Sequence, residues 1–158
     1  MVVPISYITN NTGISINGTL SMPNPQIYGQ SDIDTLIRSL LQNPSLYENR
    51  NGLLVFLDGA NKYIAIGGNK RLTAIRQILA MSQTVFERQF HEATKELHTE
   101  TRVKCLQYWN DTRQTHNTTV IVYTAKDFNQ VSELNSLILA DNGAYGKPDY
   151  DVITAHVT

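Results

Sequence analysis

Apolar positions change their period several times along the chain, and each change marks an element. Residues 5–9 and 14–20 carry short β-prone runs on either side of Asn10-Asn11-Thr12-Gly13, which predicts two short strands joined by a turn. Pro23-Asn24-Pro25 interrupts the chain. Beyond it, Ile33, Leu36, Ile37, Leu40 and Leu41 recur at helical spacing behind a Ser31/Asp34 capping box, and Asn43-Pro44 closes that helix. Residues 53–57 and 63–66 predict strands joined across Asp58-Gly59-Ala60-Asn61. Helical period returns with Leu72, Ile75, Ile78 and Leu79, and again from Ser82 to about residue 100 with Val85, Phe86, Phe90, Ala93 and Leu97. A strand at 103–109, another at 119–124, and a helix behind an Asp127/Gln130 capping box complete the pattern. That last helix carries Phe128, Val131, Leu134, Leu137 and Ile138. Strands and helices interleaved at such short spacings predict one compact mixed α/β (α+β) domain, a small mixed sheet flanked by helices.

Size and charge narrow the functional classes only slightly. The 158 residues suffice for one domain with a sizeable core. Thirteen Lys plus Arg against fourteen Asp plus Glu leave a formal net charge of −1, so any contact with DNA must come from a local patch. Cys105 is the single cysteine, which excludes an internal disulfide framework and any multi-cysteine metal site and suits a reducing compartment. No apolar run approaches the ~18 residues of a membrane span, and the N-terminal residues do not form a signal peptide. The expected location is therefore the cytoplasm of a bacterial host cell, or a virion. In either place the sequons at Asn10, Asn17, Asn110 and Asn117 carry no function.

The most informative chemistry lies at residues 63–75. The apolar run Tyr63-Ile64-Ala65-Ile66 leads into Gly67-Gly68, and the helix that follows opens with Asn69-Lys70-Arg71. A helix start presents unpaired N–H groups and a partial positive charge. Glycines that admit a close approach, together with Lys70 and Arg71, suit a phosphorylated ligand. The same residues also serve as an ordinary Gly-Gly turn with a solvated first helical turn.

The run Gly67-Gly68-Asn69-Lys70-Arg71-Leu72-Thr73-Ala74-Ile75 resembles the glycine-asparagine-x-arginine-leucine-x-alanine signature of ParB/sulfiredoxin-superfamily domains, in versions carried by bacteriophages and mobile elements. A second match lies downstream, where Asp141-Asn142-Gly143-Ala144-Tyr145-Gly146-Lys147-Pro148-Asp149-Tyr150-Asp151 is similar to the run that closes such domains. The resemblance covers roughly residues 27–153, interrupted by an insertion at about 81–117. It implies a DNA-associated domain that binds a nucleoside triphosphate with Mg²⁺, phosphate falling to Gly67, Gly68, Asn69, Lys70, Arg71 and Asn142. Gly68, Arg71 and Ala74 match the triphosphate-binding version of the first motif, while Asn69 and Lys70 replace its acid and first arginine. Asn142 matches the second motif with Asp141 in place of Glu, and Ala144 and Tyr145 stand where its arginine would be. Asn69 also occupies the position of the sulfiredoxin cysteine, so that thiol chemistry is absent.

Superfamily members include nucleotide-gated clamps, kinases and nucleases, so the resemblance leaves catalysis open. Asp141, Asp149 and Asp151 could supply hard oxygen ligands to Mg²⁺ for a small nuclease, or could simply cap helices. A non-enzymatic phage accessory or structural protein, binding a protein partner through residues 82–100, is the other alternative. His91-Glu92-Ala93-Thr94-Lys95 starts like a zinc-protease motif, but Lys95 replaces the second ligand; with His98 it reads as a solvated helix face.

Overall fold

The computed structural model describes residues 1–23, 29–44 and 53–144, with the side chains of residues 141–144 outside that description. A five-stranded mixed sheet runs in the order β1 (Val2–Pro4), β7 (Asn117–Tyr123), β5 (Leu53–Leu57), β6 (Tyr63–Ala65), β2 (Ile8–Thr9). β1 lies antiparallel to β7 and β5 antiparallel to β6, whereas the β5–β7 and β6–β2 pairs are parallel. The parallel β5–β7 pair requires a long crossover, which α2 (Asn69–Ala80), α3 (Gln83–Thr94) and α4 (Thr99–Thr115) supply. The mixed α/β fold expected from the sequence is therefore present. β5 is central and reads as an unbroken apolar run because both of its faces are covered.

Alternation along the strands divides the core into two layers. Leu53 and Val55, Tyr63 and Ala65, and Val120 and Val122 face one cluster, with side chains of α1 (Gln30–Gln42) and of α2, α3 and α4. Leu54, Phe56, Ile64, Ile66 and Tyr123 face the other, covered by Ile14 and Ile16 of the N-terminal hairpin and by Phe128, Leu134 and Ile138 at and within α5 (Val131–Ala144).

Several expected elements differ. Residues 14–20 form a hairpin rather than one strand: β3 (Ser15–Ile16) and β4 (Thr19–Leu20) are joined by Asn17-Gly18, both with positive φ (52° and 81°), the signature of a tight primed turn. Of residues 5–9, 5–7 form a 3₁₀ turn and only 8–9 a strand. The cap of α1 is Gly29 with Asp32, whose carboxylate accepts from the Gly29 N–H at 3.1 Å, not Ser31 with Asp34. Thr124 and Asp127 form the later capping box, around a 3₁₀ turn that precedes α5.

The largest departure is the 81–117 segment. Residues 82–100 are not one helix: α3 stops at Thr94 and α4 begins at Thr99, with the Leu97 N–H donating to Thr94 O at 2.9 Å across the corner. The strand expected at 103–109 lies inside α4. The segment does not project from the domain. Phe86, Phe90, Ala93, Cys105 and Trp109 belong to the main core, and the Trp109 indole N–H donates to Leu40 O at 3.1 Å. Arg113 locks the layer by donating to Ile78 O and Met81 O at the end of α2, its guanidinium 4.4 Å from the Phe86 ring centroid.

Candidate functional site

The turn between β6 and α2 is built by backbone first. Gly68 caps α2 in the left-handed region (φ 70°), its carbonyl accepting from the Leu72 N–H at 2.9 Å, and as a glycine it brings no side-chain cap of its own. Two constraints make residue 68 a glycine. A side chain is strained at this φ, and a Cβ there would lie 2.5 Å from Nη2, 2.9 Å from Cζ and 3.0 Å from Nε of Arg71.

The Arg71 side chain therefore turns back over Gly68 instead of reaching into solvent. It is only 2% exposed, among the largest fully buried side chains of the protein. Gly67, Gly68 and Asn69 are buried with it, and Lys70 is half-buried. The structure thus brings 67–71 together as a packed turn with a guanidinium in its wall, whereas the sequence pattern suggested an open cradle.

A loop that the sequence did not single out holds this turn. Asn11, fully buried, donates through Nδ2 to Ile66 O (3.1 Å) and accepts at Oδ1 from the Gly13 N–H (2.8 Å). Its backbone N–H points to Asn69 Oδ1 at 3.4 Å. Two turns along α2 from Asn69, Arg76 donates to Asn10 Oδ1 (3.1 Å) and to Ile8 O, and burial lowers its pKa. Asn69 thus ties the turn to the strand-following loop rather than capping its own helix. The only hint in the sequence is the Asn10-Asn11 pair after a strand, which reads equally well as a plain turn.

The second motif closes α5: Asp141 and Asn142 lie in its last turn, and their side chains are outside the described residues, as are Asp149 and Asp151 altogether. Ile138, three residues before Asp141, shares a core cluster with Ile66, the residue that precedes Gly67. α5 therefore covers the sheet face behind the turn. Among the described residues no group of three His, Cys, Asp or Glu side chains is placed to hold a metal ion. Glu92 pairs with Lys95 at 3.1 Å on an exposed helix surface, and that ammonium draws its carboxyl below the usual range.

No family model, curated protein or solved structure matches this chain. No helix among the described residues is long and apolar enough to cross a membrane.

Proposed function

We propose that this chain is a ParB-like, DNA-associated domain of phage or mobile-element type, and that its 67–71 turn binds the phosphate of a nucleotide. The observation that carries the reading is the buried Arg71 guanidinium folded over a left-handed Gly68 at the start of α2. Lys70 stands half-buried beside it, so two cationic side chains share the first turn of α2. The positive end of a helix favours an anion, and a phosphate suits the planar donors of arginine.

The accessory-protein alternative draws less support, because Phe86, Phe90 and Ala93 of the segment offered to a partner are spent in the protein's own core. The Mg²⁺-nuclease alternative depends on Asp141, Asp149 and Asp151, whose side chains are outside the described residues.

A thermal-shift panel of nucleoside triphosphates, diphosphates and pyrophosphate, each with and without Mg²⁺, tests the proposal. A ligand at ten times its Kd contributes about 1.4 kcal/mol, which is about 3–5 °C for a chain of this length. Lys70→Glu, at a half-buried position, should abolish that shift while leaving the unliganded melting temperature nearly unchanged. A panel without any shift, or a shift that survives Lys70→Glu, would overturn the assignment.

A further inference from the structure

We propose that the open groove between α3 and α4 binds a small amphipathic acid, a carboxylate carrying an apolar chain. The groove is formed by elements other than the turn at 67–71 and stands whether or not that turn takes phosphate. Phe90, His91 and Thr94 of α3 and Arg102, Val103 and Leu106 of α4 enclose about 380 Å³, toward the lower end of the range of about 300–1,000 Å³ for small-molecule sites. Its floor is apolar: Phe90 is 6% exposed, and the buried Thr94 hydroxyl is committed to Phe90 O at 2.7 Å. Its walls include Val103 and Leu106, 47% and 37% exposed, although Phe86 and Trp109 on the same two helices are fully buried.

Charge selects the ligand and size selects its class. Among the described residues, Arg102 and His91 are the nitrogen-bearing side chains of the lining and none of the lining residues carries a carboxylate, so an anionic head is favoured over a neutral or cationic one. A stable protein interface needs roughly 800 Å² from each partner. Among the described residues the large apolar side chains left exposed on α3 and α4 are Val103 and Leu106 alone. That is enough for one apolar chain and too little for a protein surface.

The test is an NMR titration of the whole chain with sodium octanoate, octan-1-ol and acetate. Octanoate should shift the Val103 and Leu106 methyls saturably, octanol should bind about five- to ten-fold more weakly, within the range for one ordinary hydrogen bond made in competition with water, and acetate should not bind. Arg102→Gln should reduce octanoate to the level of octanol. Val103→Glu, at an exposed position, should abolish binding while leaving the folded spectrum intact. Equal binding of octanol and octanoate would overturn the proposal, as would an unaffected Arg102→Gln. So would shifts spread over Val2, Tyr7 and Leu20, or groove shifts that follow protein concentration without ligand, which would assign the face to a second copy.

Discussion

Gly68→Ala is the sharpest probe of how the turn is built. An alanine held at φ 70° costs about 1–2 kcal/mol from backbone conformation alone. Its Cβ would also lie 2.5 Å from Arg71 Nη2, inside any permissible contact, so the guanidinium must move. Because Arg71 is only 2% exposed, it cannot swing into water without losing its buried setting; surrendering one charged hydrogen bond there costs about 1.5–3 kcal/mol. The single substitution should therefore cost about 2.5–5 kcal/mol by adding the two contributions. In an Arg71→Met background, where no guanidinium stands over the glycine, the cost should fall to the conformational part, about 1–2 kcal/mol. The difference, about 1.5–3 kcal/mol, is a coupling energy that a double-mutant cycle reads directly. Urea unfolding of the four proteins, followed by circular dichroism and compared at constant m-value, supplies it. Equal costs in the two backgrounds would show that the side chain does not fold back over residue 68.

The other expectations concern the surrounding structure. Phe86→Ala should destabilise by about 3–5 kcal/mol, because the ring is fully buried between Phe90 and the Arg113 guanidinium; deletion of residues 82–116 should leave no cooperative unfolding transition at all. A cooperative transition in that deletion would restore the projecting insertion. Asn11→Ala should cost about 1–3 kcal/mol for the acceptor or donor it leaves unmet, read by the same urea titration, and little or no loss would mean the loop is not tied to the turn. Burial raises the Cys105 pKa, so its contribution to stability is fully present below the unfolded thiol pKa of about 8.5 and is lost as pH rises through the higher folded value. The stability gap between the wild type and Cys105→Ala should accordingly narrow above that pH, and iodoacetamide should label the folded protein more slowly than the unfolded one.

Local pattern carried much of the fold. The stripe Ile33, Ile37, Leu40, Leu41 marks α1 correctly, and the apolar run of β5 and the Asp58 turn mark the central hairpin, in which Asp58 Oδ1 accepts from the Ala60 and Lys62 N–H groups. Failures came where tertiary packing overrode local preference. Val103, Tyr108 and Trp109 favour strand, yet α4 needs only Cys105, Trp109 and Thr112, at i, i+4 and i+7, to dock a narrow stripe on α1. The α3–α4 corner contains no glycine or proline, so nothing in its composition signals a break. Arg71 shows both sides. Its place in the signature suggested a solvent-facing cation, but it lies at i, i+3, i+4 and i+7 with Ala74, Ile75 and Ile78, the buried stripe of its own helix. That periodicity was available and pointed inward. The Asn11 tie was not legible, because it joins residues 55 and 58 positions apart through backbone groups that no pattern exposes.

The central claim, a phosphate held by the start of α2, is tested most directly by ¹H–¹⁵N correlation spectra recorded while ATP, with and without Mg²⁺, is titrated into the full chain. The account predicts saturable shifts concentrated on the amides of Gly68, Asn69, Lys70 and Arg71 and on the Arg71 Nε–H, all absent from Lys70→Glu. Amides of residues 68–71 that stay fixed at millimolar nucleotide, or shifts that centre elsewhere on the domain, would contradict it.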